Sequence, residues 1–231
     1  MKLLSLREEV LQANLDLVRK GLVLFTFGNA SGYDRQSGLV VIKPSGVSYD
    51  TMMPEDLVIT DLQGQMVEGT LRPSSDLATH LALYQAFEGV GGVVHTHSRY
   101  ATAWAQAGRP IPCLGTTHAD YFQGAIPVTP SMAPEEIKDQ YEWNTGQVIV
   151  RRFKDLDPLA TPGVLVQGHA PFCWGKTPAD AAYNAAIVEE VAHMAYLTVT
   201  INREVAGLSD TLRDKHFLRK HGPAAYYGQK S

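Results

Sequence analysis

The residues best placed to do chemistry are the two histidines of Val94-His95-Thr96-His97-Ser98. On a strand, residues i and i+2 share a face about 6.5–7 Å apart, so both imidazoles can converge on one divalent ion. The apolar Val93-Val94 before them favours a buried strand over an exposed one that carries two surface histidines. A third ligand must come from elsewhere. His169 follows Val164-Leu165-Val166 through Gln167-Gly168 and falls at another strand end. His80 and His193 sit in helical patterns and read more readily as core or surface residues, while His118 lies in an aperiodic polar stretch. Three histidines with a vacant position describe a catalytic zinc site, whereas a closed structural site uses four ligands. Imidazole ligation also accepts other first-row divalent ions, Mn2+ among them.

Small polar loops form a second group. Gly28-Asn29-Ala30-Ser31, Lys43-Pro44-Ser45-Gly46 and Ser74-Ser75 each end a strand or open a helix. Backbone N–H groups, Ser hydroxyls and a Lys together suit a phosphate. Each loop alone is an ordinary turn or cap. Beside a metal site they point to a small phosphorylated substrate. Asp76 and Asp120 add carboxylates that can act as a base or orient a ligand near a cation. The tail Lys215–Gly228 holds His216, Arg219, Tyr226 and Tyr227, and two adjacent tyrosines suggest docking on this or a neighbouring subunit.

The elements that must position these residues follow from periodicity. Ser5 and Glu8 form a capping-box pattern before Leu6, Val10, Leu11, Leu15 and Val18, and Gly21 suits the C′ position. Residues 22–27 read as a buried strand running into a loop at 28–32. Residues 39–42 form a second strand, and 57–60 with 65–67 flank a Gln63-Gly64 turn as a hairpin. A helix follows Asp76, a strand spans 92–97, and short helices are expected at 98–106 and 134–141. A strand at 164–166 and helices from Pro178 to about 199 and from Ser209 to about 220 complete the pattern. Alternating strands and helices with hairpins imply a layered α/β fold around a mixed sheet. No repeat or linker interrupts residues 1–231, so a single domain is expected.

Composition sets limits. The 231 residues carry 24 acidic and 20 basic side chains, a net charge of -4, which disfavours nucleic acid or an anionic membrane as partner. No apolar run approaches the roughly 18–20 residues that span a bilayer. The apolar start is too short for a signal peptide, and two cysteines are no disulfide framework, so a cytoplasmic location is expected.

Taken together, Gly28-Asn29-Ala30-Ser31, Lys43-Pro44-Ser45-Gly46, Arg72-Pro73-Ser74-Ser75-Asp76, His95-Thr96-His97-Ser98, Gly115-Thr116-Thr117-His118-Ala119-Asp120-Tyr121, His169-Ala170-Pro171-Phe172 and Tyr226-Tyr227-Gly228 run in order along the chain. This series resembles the class II sugar-phosphate aldolase and epimerase superfamily, in its 4-epimerase branch. The resemblance implies a three-layer α/β/α domain around a mixed, largely antiparallel sheet, and a homotetramer of C4 symmetry with active sites between subunits. It implies zinc on His95, His97 and His169. It assigns the phosphate to Asn29, Ser45, Gly46, Ser74 and Ser75 with Lys43 close by, and places Asp76 beside the metal. Asp120 and Tyr227 correspond to an acid–base pair from the adjacent subunit, with His216 and Arg219 shaping the site.

The implied reaction interconverts L-ribulose 5-phosphate and D-xylulose 5-phosphate, as in L-arabinose or L-ascorbate catabolism. C4 is not adjacent to the C2 carbonyl, so cleavage of C3–C4, rotation of the aldehyde and re-addition are more reasonable than simple deprotonation. The alternative is a class II aldolase of the L-fuculose-phosphate type. Those place Glu after the Ser pair, where this chain has Asp76. Phe27 and Ala170 depart from the frequent Trp and Gly of the family. A His-x-His-x-Asp-His hydrolase is excluded by Arg99-Tyr100, and a cupin-like module by the lack of a Glu after the His pair.

Overall fold

Alternation along the strands fixes the layering in a computed structural model that describes residues 2–222 and 225–226. Seven strands form one sheet in the order β4-β3-β2-β1-β5-β7-β6. They are β1 (Asn29–Asp34), β2 (Leu39–Ile42), β3 (Val58–Asp61), β4 (Met66–Glu68), β5 (Gly92–His95), β6 (Gly163–Leu165) and β7 (Pro171–Gly175). Val40, Ile42, Val58, Val93, Val164, Phe172 and Trp174 point to one face. There they pack on Leu77, Leu81 and Tyr84 of α2 (Leu77–Ala86) and Ile149 of α6 (Tyr141–Arg152). Their neighbours Val41, Ile59, Val94, Leu165 and Cys173 point to the other face. That face meets α1 (Leu4–Arg19), α3 (Arg99–Gln106) and α7 (Pro178–Ile201). The result is the expected three-layer α/β/α arrangement. Every ladder is antiparallel, and the parallel element among the described residues is the single bridge Val128↔Leu165. The remaining helices are α4 (Thr116–Ala119), α5 (Pro134–Lys138) and α8 (Asp210–His221).

The first half of the sheet departs from the sequence pattern in an informative way. The apolar run at 22–27 is not a strand: Phe25 has φ 53° and, with Leu24 and Phe27, is exposed. The run expected as a loop supplies β1 instead. Small residues are required there because two helices press on that strand. A Cβ at Gly32 would lie 2.7 Å from Leu6, 2.9 Å from Pro178 and 2.9 Å from Val10. Asn14 of α1 adds a polar clasp, accepting from Ala30 N at 2.9 Å and donating to Ala30 O at 3.2 Å.

The expected Ser5–Glu8 capping box is also absent; α1 begins at Leu4, and the Ser5 hydroxyl reaches Glu9. Buried Arg7 holds that end, donating to Lys2 O, Pro54 O and Leu57 O and pairing with Glu68 at 3.0 Å. At the other end, Gly21 takes the left-handed conformation (φ +67°) that the sequence implied. Three helices and strands had no counterpart in the pattern, α4, α6 and β7. The substitution Gly32→Ala should lower stability by about 1–3 kcal/mol through overpacking, readable in denaturant unfolding.

Candidate active site

The end of β5 gathers the histidines. His95 is in register with Asn29 of β1 on one side and Phe172 of β7 on the other. Its Nδ1–H donates to Pro171 O at 3.0 Å and its ring stacks on Phe172, centroids 4.1 Å apart. That bond fixes the tautomer and leaves the Nε2 lone pair facing inward. The strand stops at His95, so His97 lies beyond it rather than within it as the spacing implied. The two rings still meet, Nε2 to Nε2 at 3.1 Å. His169 arrives from a turn before β7 in which Gly168 has φ +73° and Val166 N–H donates to Ala170 O. One ligand atom from each of the three histidines lies within 4.8 Å of the others.

The donor set suits a divalent cation. Burial lowers the pKa of all three imidazoles, that of His95 to about 3, so each is neutral near pH 7, as ligation requires. Asp76 stands at the start of α2, where Asn29 Nδ2 donates to its Oδ2 at 2.6 Å and to Ser74 Oγ at 3.0 Å. Burial pushes this carboxyl up, but His95, His80 and the Asn29 bond outweigh it and hold the pKa below the usual range.

The phosphate-type loops are tied to the same rim. Pro44 bridges Pro73, Ser45 N–H donates to Arg72 O and Ser74 N–H to Lys43 O, both at 2.9 Å. Lys43 is buried, its amine 3.3 Å from Pro44 O and 4.8 Å from the centre of the Tyr49 ring, and burial lowers its pKa. Ser45, Gly46 and Ser75 are exposed at the loop tips. Asn29, Lys43, Ser45, Gly46, Ser74, Ser75 and Asp76 therefore form one linked group that reaches His95 through Asn29.

Asp120, His216 and Arg219 form a different group. The Asp120 carboxylate accepts from Arg219 Nε at 2.9 Å and Nη2 at 2.6 Å, and pairs with His216 Nδ1 at 3.0 Å. These partners overcome burial and lower its pKa. Tyr121 and His221 beside it line a cavity with Trp174 and Gly175, the end of β7 away from Phe172. From Phe172 to Gly175 is about 10 Å along a strand. The cavity beside the Asp120 group thus opens at the other end of β7 from the ring stacked on His95. Tyr227 lies outside the described residues.

The other histidines have structural places. His80 Nδ1 lies 2.7 Å from Ser31 Oγ, which lies 2.7 Å from Tyr84 OH, and burial lowers the His80 pKa to about 4. His118 donates to Gly124 O at 2.8 Å, His193 stacks on Tyr100, and His221 donates to Asp120 O at 2.9 Å. Sequence reasoning missed Tyr141, whose hydroxyl is 3.5 Å from His169 Nδ1. Its only signal was the unnoticed amphipathic pattern of α6. Phe27 stands 6.4 Å from the His97 ring, at the edge of the site.

This fold and site have known relatives. Residues 8–196 match the model of the class II aldolase and adducin N-terminal domain. The chain belongs to the class II aldolase and adducin family. It is 58% identical over 226 residues to the L-ribulose-5-phosphate 4-epimerase UlaF of Salmonella paratyphi B, covering 98% of this chain and 99% of that protein. The UlaF of Salmonella typhi is equally similar, 58% over the same span. Among solved structures, an L-fuculose 1-phosphate aldolase superposes with TM-score 0.78 at 24% identity, over 92% of this chain and 94% of that one. The L-fuculose-1-phosphate aldolase of Thermus thermophilus gives 0.69 at 22% identity, over 88% and 100%. Those two establish the class II aldolase fold. The class II aldolase family is metal-dependent, and His95, His97 and His169 are the group here that can hold the ion. No helix among the described residues is long and apolar enough to cross a membrane.

Removing one donor should weaken the ion's hold: His97→Asn is expected to lose bound divalent metal on dialysis against a chelator that the unsubstituted protein withstands. The buried neutral histidines set a pH dependence. A lowered His118 pKa (about 4 folded) means that the unfolded chain takes up its proton first. Stability present above about pH 6.5, the unfolded value, is therefore lost as pH falls towards 4. Urea unfolding of metal-free His118→Gln should show a shallower loss across that window.

Proposed function

We propose that the protein is a metal-dependent L-ribulose-5-phosphate 4-epimerase, a cytoplasmic isomerase acting as a homotetramer. The observation that carries the reading is the 58% identity to UlaF over nearly the whole chain, supported by the approach of His95, His97 and His169 and by the Asn29–Asp76 bond. A divalent cation on His95, His97 and His169, zinc in the first instance, would supply Lewis acidity to the sugar oxygens during C3–C4 cleavage.

The chain's residues supply the rest. The hydroxyls of Ser45, Ser74 and Ser75 and the amides of Gly46 and Ser75 hold the phosphate, the Ser45 and Ser74 amides being tied to Arg72 O and Lys43 O, with Asn29 orienting Ser74 and Lys43 giving charge from beneath. Asp76, kept ionised and aimed by Asn29, accepts hydrogen bonds from hydroxyls at the metal end of the sugar. Removal of the proton from the C4 hydroxyl lets C3–C4 break, its electrons passing to the C2 carbonyl. The released aldehyde turns, and C3 attacks its other face. Re-addition then needs a proton at the new C4 oxygen. Two faces require two acid–base groups, which are Asp120 and Tyr227 of a neighbouring copy. His216 and Arg219 fix the Asp120 carboxylate for this role. The placing of the cavity beside Asp120 at the other end of β7 from His95 supports a site completed between subunits.

With L-ribulose 5-phosphate and a divalent ion, the protein should form D-xylulose 5-phosphate, followed by a coupled assay. No turnover would overturn the reading, and accumulation of glycolaldehyde phosphate without the epimer would make it an aldolase. Asp120→Asn and Tyr227→Phe should each lower kcat by about 10²–10⁴-fold while metal content stays unchanged.

A further inference from the structure

The three imidazoles are not held alike. His95 is fixed by Pro171 O and by the Phe172 ring, and His169 has the Tyr141 hydroxyl beside Nδ1. The exposed His97 ring receives no hydrogen bond from outside the triad among the described residues. Its placement therefore falls to its backbone. That backbone is a three-residue connection, 96–98, between the end of β5 and the start of α3. The sheet anchors one end, so the first turn of α3 must anchor the other.

That turn is capped from a distance. Ser98 occupies the N-cap with extended backbone, but its hydroxyl makes no cap bond and is buried without a partner. A carboxylate from the middle of α7 takes that role instead. Glu189 accepts from Tyr100 N–H and Ala101 N–H, one oxygen each, both at 2.9 Å. These are two of the four amides a helix start leaves unpaired, and an anion there also meets the positive end of the helix. One turn along α7, His193 stacks on Tyr100 at 3.8 Å, and Trp104 Nε1 donates to Ala192 O at 3.0 Å. Glu189 shares with His97, Ser98 and Phe27 the lining of a cavity of about 320 Å³.

We propose that Glu189 is a positioning residue for the metal centre: by capping α3 from α7 it fixes where His97 presents its ring. This rests on the reading that the triad holds a divalent ion. Glu189→Gln keeps size and one acceptor oxygen but turns an NH2 group onto the other amide. Co2+ affinity of the purified metal-free chain, measured by competition with a chromophoric chelator, should fall about 10–100-fold, as for other groups that orient a ligand. The visible bands of the Co2+-loaded protein should change with it. As a control, Arg7→Met weakens the fold at α1 and should lower the unfolding midpoint while leaving Co2+ affinity intact.

Affinity within twofold of the unsubstituted protein, or an equal loss in Arg7→Met, would overturn the proposal. If Glu189→Gln does not fold, Glu189→Asp is read in the same titration: a several-fold loss supports the proposal and no loss overturns it. Failure of the unsubstituted protein to bind Co2+ would overturn the metal reading itself, and this proposal with it. That outcome is distinct from a loss confined to the Glu189 variants.

Discussion

The site depends on one row of backbone pairing, Asn29 beside His95 beside Phe172, across the three central strands. Strand pairing has a period of two, so this register decides which side chains reach the rim with the three histidines and which reach the core. It brings Asn29, and through it Asp76 and Ser74, against the first imidazole. It also lays the Phe172 ring on His95 and sets the turn that delivers His169. The three histidines, the Asp76 carboxylate and the loops at 43–46 and 73–75 are thus placed by a few main-chain bonds rather than by separate scaffolds.

Around that row the electrostatics are set by desolvation. Imidazoles whose surroundings disfavour a proton remain free to ligate. A carboxylate survives as an anion there because histidines and an amide donor face it. Lys43, buried against an aromatic ring and a carbonyl, adds positive charge beneath loops whose tips are otherwise neutral.

Much of this was legible in the sequence. His95 on a buried strand, His169 after an apolar strand, and the loops at 43–46 and 74–75 lie where the pattern put them. What misled was hydrophobicity. Of the run at 22–27, Leu22 and Val23 enter the core but Leu24, Phe25 and Phe27 are exposed, while Asn29-Ala30-Ser31-Gly32 looks like a loop and is a central strand. Gly32 answers to α1 and α7, and Ser31 to His80 and Tyr84 of α2, tertiary demands that no local pattern carries. His97 likewise lies past the strand rather than on it, so convergence with His95 comes from a bend in the chain and not from pleat geometry. Tyr141 met His169 only through folding, and Glu189, 88 residues from Ala101, left no short-range trace.

The mooring of α8 has its own consequence. That helix follows the family match at 8–196, and Phe217 is its one buried residue. Its grip on the body of the fold is largely ionic and centres on the carboxylate of Asp120, with Arg219, His216 and Lys220 drawn around it. A proton arriving on Asp120 would not only change a side chain's charge. It would slacken the tether of a whole helix, so acid–base state and the seating of the C-terminal segment are mechanically one variable.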